Sequence, residues 1–506
     1  MFYPCDMSHA SNVNGNGNGH HAASLTRPPA KPAPATSQEN GVTFRTADGI
    51  QRHGVIVRVT SHTAYFEVHD PTLILRLSET LQDFQIIFQG QKTCSGRAVI
   101  CGIVESGFKT ACEVKLREMN WSGLNPASTL QQNISMDEQF KVFLNEWENQ
   151  CKVKPEFKNA TIDLLSFFNE SQIWLNQVEL GIRNLPAQEQ AKTEQEALLQ
   201  LNPHFIRATG SINEKFEHEL NQVEPDLRPL HQAFVRKFLH PVTQCSPFMH
   251  RAFEKPLGYA GDYEVVDMMF RDPFQGGSYF AKLLNSYALQ LPPVVAHRNR
   301  IQYLRKKLED ESLRALSQKR SLRVFNLGCG PAREVQQFLA DTSLSNQTSF
   351  VLADFEEKTL VHTNHVLHEL KARHQRRVQI KTVKLSVAQL IKEYERRGKK
   401  NGPEQFDFVY CAGLFDYLTD AVCQHLMDAF YAMLAPDGLL VATNVDRHAA
   451  INQMECFLDW HLQYRDSEKM RELTPQAACP GDVTIKRDPS GANVFIEVRK
   501  LGQAGP

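Results

Sequence analysis

The sequence has no long apolar run and no excess of either charge. None of its segments reaches the ~18 consecutive apolar residues of a membrane-spanning helix, and its first residues show no basic stretch followed by an apolar one, so we expect neither a membrane span nor a secretory signal. Lys plus Arg number 56 against 57 Asp plus Glu, and the net charge of -1 gives no global field for nucleic acid. The composition therefore predicts a cytoplasmic protein without a nucleic acid partner, unless a local basic patch supplies one.

Cysteine patterns typical of disulfide frameworks and zinc sites are also missing. The 11 cysteines are dispersed and include no Cys-x-x-Cys pair, which favours reduced thiols, and no metal site is expected. A length of 506 residues exceeds what one hydrophobic core supports, so about three domains are expected. Residues 1–40 are too polar and too rich in Gly and Pro to bury a core, and we predict a disordered tail there.

One segment combines an apolar run with a glycine-rich turn. Residues 323–327 have the apolar content of a buried strand, and Gly328 and Gly330 then let the backbone come close to a ligand. A second apolar run ends in Asp354, whose carboxylate could accept two hydrogen bonds from a ribose diol. A glycine turn followed by a distal acid predicts a nucleoside site.

The turn lacks the third glycine of a dinucleotide-binding motif. Arg333 would crowd the space that a pyrophosphate needs at the helix N-terminus, so a nucleoside without phosphates fits better. Residues 326–331, Asn-Leu-Gly-Cys-Gly-Pro, resemble motif I of class I S-adenosylmethionine-dependent methyltransferases, with Asp354 in the motif II position. Asn326 departs from the acid that this family often has there. The resemblance implies S-adenosylmethionine as the cofactor.

The last third of the chain alternates strand-like and helix-like stretches, as a parallel sheet with crossover helices requires. The predicted strands are 324–327, 350–353, 378–383, 406–410, 438–444, 483–486 and 494–498. They predict a Rossmann-like domain over residues 311–506 with a seven-stranded sheet, the alternative being an unrelated doubly wound fold. The resemblance implies that the cofactor is bound by Asn326, Gly328, Cys329, Gly330, Asp354, Ser386, Val387, Ala412 and Gly413.

Short alternating segments between residues 41 and 116 predict a small β-barrel domain over 41–125. Its six predicted strands are 54–59, 64–68, 73–77, 84–88, 97–104 and 110–116. This stretch resembles a PilZ domain, a barrel that in many bacterial proteins binds cyclic di-GMP through an arginine pair and an Asp-x-Ser-x-x-Gly motif.

Both PilZ motifs are degenerate in this chain. The second aligns with residues 58–63, where arginine replaces the acid and threonine replaces the glycine, and Arg45 and Arg52 are seven positions apart rather than four. Arg52 and Arg58 could still clamp a phosphate of cyclic di-GMP. We expect the barrel to serve in docking to a protein instead.

Residues 126–310 are predicted to form a helical cap or substrate domain, because apolar residues recur at steps of three and four. The predicted core stripes contain Phe140, Phe143, Trp147, Leu164, Phe167, Phe168, Trp174, Leu175 and Val178. The segment 256–264 is too irregular for the middle of a helix. It is either a turn between helices or a lid, in which Tyr259 would stack on a ligand and Asp262 would accept a hydrogen bond.

Four segments together resemble one bacterial subfamily, that of extracellular-factor biosynthesis of the 3-hydroxypalmitic acid methyl ester type. They are residues 258–264, 296–300, 413–418 and 458–465, and the resemblance covers about 136–500. It implies methylation of a fatty acid carboxylate, a nucleophile that is already charged and needs no general base. The candidate carboxylate anchors are Arg298, Arg300, His461 and Tyr464, and the candidate walls are Tyr259, Phe415, Tyr417 and Trp460.

The catalytic set predicted from these segments is Tyr259, Asp262, Arg298, Tyr417 and His461. An amine or hydroxyl acceptor would instead need a base, for which His461, Asp416 or Tyr417 could serve. A nucleic acid or protein methyltransferase is an alternative, although residues 410–413 lack the Pro-Pro-aromatic cluster of enzymes that methylate base amines. The remaining alternative is a signalling adaptor with an inactive methyltransferase fold.

Overall fold

The computed structural model describes residues 41–501 apart from position 61, residues 71–72, 89–90, 107–108, 122–135 and 398–403, and nine residues between 138 and 151. The tail predicted to be disordered, residues 1–40, lies outside the described residues, as do Ser61 and Phe143. No helix in the described part of the chain is long and apolar enough to cross a membrane.

Six antiparallel strands close into a barrel in the order β1-β2-β3-β6-β5-β4. They are β1 Gly41–Arg45, β2 Gln51–Val59, β3 Thr63–Val68, β4 Thr80–Phe88, β5 Gln91–Ser106 and β6 Lys109–Trp121. Alternate residues of these strands point inward, and the rings of Phe44, Phe66 and Phe84 pack together at the centre. The six-stranded barrel predicted from the sequence is confirmed.

The prediction of a barrel strand at residues 73–77 was wrong. Leu73, Leu75 and Leu77 are buried in the barrel core, as their alternation indicates, but the segment pairs with no strand. The backbone N–H of Leu77 donates instead to the carbonyl of Tyr417, far along the chain. The sixth strand is β1, which is short and was not predicted.

Within the described residues from 155 to 317, seven helices pack around a second core. They are α1 Pro155–Arg183, α2 Ala187–Asn221, α3 Arg228–Thr243, α4 Pro247–Glu254, α5 Tyr263–Met268, α6 Tyr279–Ala288 and α7 Pro292–Ser317. Leu164, Phe168 and Leu175 are buried as predicted. Trp174 is 52% exposed, because it lies one position outside the buried stripe of α1, and Phe140 and Trp147 are also exposed. The boundary predicted at 310 falls within α7.

The C-terminal region contains a seven-stranded sheet in the order β12-β13-β11-β10-β7-β8-β9. Its strands are β7 Leu322–Leu327, β8 Thr348–Asp354, β9 Gln379–Lys384, β10 Phe406–Cys411, β11 Leu434–Val445, β12 Val483–Arg487 and β13 Asn493–Arg499. Strand β13 is antiparallel to both of its neighbours, and the other pairs are parallel. This arrangement confirms the predicted Rossmann-like domain with a seven-stranded sheet.

Helices cover both faces of this sheet, and the strand order reverses between β7 and β10. The helices are α8 Arg333–Asp341, α9 Glu357–Arg373, α10 Val387–Arg397, α11 Asp420–Ala432, α12 Ile451–Phe457 and α13 Ser467–Glu472. Ligands of open α/β sheets bind where the order reverses, beyond the carboxyl ends of the strands. The topology therefore places the glycine turn after β7 and Asp354 at the end of β8 in the expected crevice.

A buried ionic cluster joins the three regions. The side chain of Asp459 is fully buried and pairs with Arg117 of β6 at 2.8 Å, with Lys115 of the same strand at 3.6 Å, and with Arg236 of α3. The three cations hold the pKa of Asp459 well below its usual range, although burial alone would raise it. The barrel, the helices and the loops above the sheet thus share one charged contact that solvent does not reach.

Candidate active site

A cavity of about 370 Å³ lies at the carboxyl ends of β7, β8 and β10. Its walls come from the sheet, from the helical region and from the barrel. All nine residues predicted to bind a cofactor line it, and they are Asn326, Gly328, Cys329, Gly330, Asp354, Ser386, Val387, Ala412 and Gly413. The structure thus brings together residues that are scattered over four strand ends.

The glycine turn presents an open backbone surface to this cavity. Gly330 has φ +50°, and a side chain at this position would meet no atom within 4 Å, so open space lies beside it. The N–H groups of Gly328 and Cys329 donate to the carbonyl of Ala353 at 2.8 and 3.0 Å, which fixes the turn against β8. A ligand can therefore approach the backbone of the turn closely.

Asp354 is buried at the edge of the cavity with hydrogen-bonding capacity to spare. Its Oδ2 accepts from the Gly330 N–H at 3.1 Å and its Oδ1 from the Glu356 N–H at 3.0 Å. Burial raises the pKa of this carboxyl, and the backbone N–H donors act against that rise. A carboxylate has about four acceptor sites, so two remain for the hydroxyls of a ribose. This arrangement fits the nucleoside half of S-adenosylmethionine.

A second acid, Glu334, lines the cavity beside Asn326. Its Oε1 accepts from the Tyr410 hydroxyl at 2.7 Å and from Asn326 Nδ2 at 3.4 Å. The buried Asn326 Oδ1 has no hydrogen-bond partner in the part of the chain that the structure describes. Burial raises the pKa of Glu334. The orphan oxygen and the nearby carboxyl suit an ammonium group, such as that of the methionine half of S-adenosylmethionine. Sequence analysis missed Glu334, although an acid in the first turn of the helix after the glycine turn was a signal for it.

Comparison with known proteins agrees with this geometry. Residues 325–440 match a family model described as a methyltransferase domain, and the matched span runs from β7 into β11. The chain contains a methyltransferase domain. The enzyme is an S-adenosylmethionine-dependent methyltransferase, and the residues around the glycine turn and Asp354 fit that cofactor.

Solved structures of methyltransferases resemble this enzyme at low sequence identity. Magnesium protoporphyrin IX methyltransferase from Synechocystis with bound S-adenosylmethionine is 13% identical, with 46% of this chain and 90% of that chain covered and a TM-score of 0.30. Human N-acetylserotonin methyltransferase with the same ligand is 14% identical, with 43% and 59% covered and a TM-score of 0.26. A structure from Bordetella parapertussis, described as a possible exported protein, is 18% identical, with 62% and 97% covered and a TM-score of 0.38. A search of curated proteins finds no match.

Opposite the glycine turn, the methyltransferase cavity is lined by a buried arginine and a histidine from α7. Arg300 Nη2 donates to His297 Nδ1 at 2.6 Å, and Arg300 Nη1 lies 3.8 Å from Asp416 Oδ2. Burial and the nearby arginines hold the pKa of His297 well below its usual range, so the ring is neutral. Because Nδ1 accepts, the proton of the neutral ring resides on Nε2. Arg300 Nε and His297 Nε2 are both buried and have no hydrogen-bond partner among the described residues.

Three aromatic residues of the prediction lie in the same cavity wall. Tyr259, Tyr417 and Trp460 all line it, and Trp460 Nε1 donates to the Tyr417 hydroxyl at 3.0 Å. The segment containing Tyr259 packs against this pair so closely that a Cβ on Gly261 would lie 2.9 Å from the Tyr417 hydroxyl. Phe415 was also predicted as a wall. It is fully buried in a hydrophobic core formed by the sheet and the helices that pack on it, and it does not line the cavity.

The other predicted catalytic residues do not line the cavity, and each has a structural partner. Asp262 caps α5 by accepting from Glu264 and Val265 and pairs with Arg251 at 2.9 Å. Arg298 donates to the carbonyls of Met269 and Leu289.

His461 and Tyr464 also lie away from the cavity. His461 Nε2 is 2.9 Å from Lys115 Nζ, where burial and that cation hold its pKa well below the usual range. The ring of Tyr464 packs edge-on against His448. Of the four predicted carboxylate anchors, Arg300 lines the cavity, and Arg298, His461 and Tyr464 do not.

Proposed function

We propose that this methyltransferase transfers the methyl group to a carboxylate oxygen of a long-chain 3-hydroxy fatty acid and so forms a methyl ester signal, as in extracellular-factor biosynthesis. One observation carries the proposal. The unpartnered donors Arg300 Nε and His297 Nε2 are buried beside an apolar cavity wall. Arg300 Nη1 already lies 3.8 Å from the carboxylate of Asp416, and the unused Nε donor can bind an acceptor carboxylate as a second anionic partner.

The helical wall of the cavity suits an acyl chain. Its apolar residues come from α4 to α7 and include Phe248, Val266, Met269, Leu291, Val294 and Ile301. Each methylene that leaves water for such a wall contributes about 0.8 kcal/mol. The combination of a carboxylate anchor with an apolar surface supports a fatty acid over a small polar acid.

The residues that line the cavity are sufficient for methylation of a carboxylate. When bound, S-adenosylmethionine supplies an electrophilic methyl group. A carboxylate is already an anionic nucleophile, so the site has no proton to remove, and Tyr417, whose pKa burial raises, stays a neutral hydroxyl. Arg300 and His297 orient the carboxylate, while Tyr417 and Trp460 exclude water from it. These roles divide the work between positioning and desolvation.

A polymer acceptor is less compatible with this cavity. The sheet, the helices and the barrel all contribute walls to it, which favours an acceptor small enough to be enclosed. A cytoplasmic location belongs to the same proposal and is supported by the nine described cysteines, all of which are free.

We assign the barrel to the PilZ-like type with a docking role. Arg52 is paired with Asp70 at 3.0 Å and with Asp48 at 3.5 Å, and Arg58 lies over the ring of Tyr65. The two carboxylates beside Arg52 disfavour a phosphate clamp of the cyclic di-GMP type at this position. A titration with cyclic di-GMP that raised the melting temperature would support the sensor alternative instead.

A chain-length series tests the proposed acceptor. The enzyme is incubated with a methyl-labelled cofactor and with 3-hydroxy acids of about 4, 8, 12 and 16 carbons, so that the apolar surface of the acceptor increases while its carboxylate stays the same. We expect kcat/KM for methyl ester formation to rise about tenfold or more between the shortest and longest acids, because each buried methylene adds affinity. Equal rates for all lengths, or no ester from any, would contradict the assignment.

A further inference from the structure

A segment of the barrel forms part of the methyltransferase cavity. Leu73, Leu75 and Leu77 are buried in the barrel core, and Ile74 and Arg76 line the cavity together with the edges of Leu73 and Leu77. This segment is the one that fails to pair as a strand. Its outward residues are therefore free to serve the site above the sheet.

The segment is attached to the rest of the enzyme at three points. Leu77 N–H donates to the Tyr417 carbonyl at 3.2 Å, and Thr80 N–H donates to the Gly258 carbonyl at 2.7 Å. Between them, the Ser78 hydroxyl donates to the His461 carbonyl at 2.8 Å. These bonds fix the end of the barrel segment against the three loops that carry Tyr259, Tyr417 and His461.

Arg76 lies over two aromatic rings beside the ribose acid. Its Cζ is 4.0 Å from the ring centroid of Phe355 and 5.7 Å from that of Tyr259, and the two rings meet edge to face at 5.0 Å. Phe355 directly follows Asp354 in the chain. A guanidinium within about 6 Å of a ring centroid is attracted to the ring face.

Glu79 fixes the position of that guanidinium. Its Oε2 lies 3.6 Å from Nε of the Arg76 guanidinium and accepts a hydrogen bond from the backbone N–H of Arg76 at 3.3 Å. Its Oε1 accepts from the backbone N–H of Ala47 at 3.0 Å. Glu79 is almost fully buried. The arginine is thus held by the barrel while its planar group rests on residues from the sheet and the helical region.

We infer that Arg76 is a positioning residue for the cofactor: from the barrel, it holds Phe355 and Tyr259 in place around Asp354 and so completes the adenosine end of the site. The barrel is then a structural part of the methyltransferase site. This inference uses the cofactor alone and does not depend on the acceptor being a fatty acid.

The charge of Arg76 has a second consequence for Asp354. It lowers the pKa of that carboxyl and opposes the effect of burial. The other ionisable groups that interact with Asp354 include Tyr259, Cys329 and Cys411, and burial raises the pKa of all three, so none of them titrates near neutral pH. Loss of Arg76 should therefore raise the pH at which Asp354 becomes protonated.

The test compares Arg76→Met with Arg58→Met in the full chain. Arg58 is a matched control, since it is a barrel arginine over an aromatic ring, 5.7 Å from the centroid of Tyr65, and does not line the cavity. Calorimetry with S-adenosylmethionine between pH 5 and 8 should show about tenfold weaker binding by Arg76→Met than by the original protein. The control Arg58→Met should bind the cofactor as tightly as the original protein does. The pH below which affinity falls should also move upward in Arg76→Met, which a merely structural role would not produce.

Binding by Arg76→Met within twofold of the original protein, with an unchanged pH profile, would overturn the inference. If Arg76→Met melts early, Arg76→Lys takes its place, because lysine keeps the charge and loses the planar stacking group. It should then bind the cofactor more weakly than the original protein with an unshifted pH profile, and full affinity would overturn the inference. At saturating cofactor, the KM of the Arg76 variants for the acceptor should change less than twofold. A cofactor defect with an unchanged acceptor KM separates this result from a failure of the proposed acceptor.

Discussion

Arg300 and His297 face each other one turn apart on α7, with Arg300 Nη2 donating to His297 Nδ1 across 2.6 Å. This contact uses the acceptor side of a neutral imidazole and leaves Nε2 as a donor. Two unused donors from neighbouring side chains are thereby held on one side of the cavity. The chemistry proposed for this enzyme depends on that pair.

Substitution Arg300→Met should remove the carboxylate anchor without removing the cofactor site. A hydrogen bond to a charged group contributes about 1.5 to 3 kcal/mol, so kcat/KM for the acceptor should fall by about 10- to 100-fold. Binding of S-adenosylmethionine by calorimetry should stay within about threefold. The matched variant is Arg298→Met, two positions away, whose guanidinium donates to backbone carbonyls. Arg298→Met should lower the melting temperature and leave the affinity for the acceptor unchanged. If Arg298→Met weakened acceptor binding and Arg300→Met did not, Arg298 would be the carboxylate anchor.

Substitution Asp354→Asn should weaken cofactor binding. Two hydrogen bonds to a charged acceptor are lost or weakened, and we expect about 10- to 100-fold lower affinity for S-adenosylmethionine by calorimetry. Burial raises the pKa of this carboxyl, and a protonated acid is a poorer acceptor. Affinity of the unaltered enzyme should therefore be complete at neutral pH and decline as pH falls through that raised pKa. An affinity independent of pH down to the ordinary Asp range would contradict the role given to Asp354.

Substitution Gly413→Ala should disturb Arg300. A Cβ at this position would lie 2.6 Å from Arg300 Nη2, and the backbone has φ +82°. Either the guanidinium moves or the turn does, at a cost of about 1 to 3 kcal/mol. Acceptor turnover should fall at least about tenfold. Gly277→Ala is the control, since a Cβ there meets nothing within 4 Å. Equal activity of the two variants would show that Arg300 is not held where the structure has it.

Substitution Asp459→Asn should destabilise the whole enzyme. It would leave Arg117, Lys115 and Arg236 buried without their carboxylate, and breaking such a cluster costs about 3 to 5 kcal/mol. Denaturant unfolding measures the loss. Because the folded pKa of Asp459 is depressed, its contribution should be complete above the unfolded pKa of about 3.9 and be lost only as pH falls below it. A variant as stable as the original protein would mean that solvent screens the cluster.

Much of the fold could be predicted from the sequence because strands and helices have different periods. All seven strands of the sheet were found within a few residues, and so were five of the six barrel strands. Residues 73–77 show the limit of this approach. Their alternation correctly indicated which leucines are buried, but it could not reveal that their backbone partners come from elsewhere in the chain.

The nine residues predicted to bind the cofactor all line one cavity, because each of them follows or ends a strand at the same edge of the sheet. The predicted acceptor residues do not come together in the same way. Asp262, Arg298 and His461 lie in segments that resemble a family, yet the direction of each side chain depends on how helices and loops pack, and all three have structural partners. Arg76 could not be found at all, because only the docking of the barrel brings it to Phe355.

The most direct test of the proposed activity is the chemical nature of the methylated product. Purified enzyme is incubated with methyl-labelled S-adenosylmethionine and 3-hydroxypalmitate, and the product is then treated with mild alkali, which cleaves esters but not methyl ethers or N-methyl groups. We predict that the label enters the lipid fraction and is released as methanol, and that Arg300→Met forms little of this product. Label that survives alkali, or that enters protein or nucleic acid instead, would contradict carboxylate methylation.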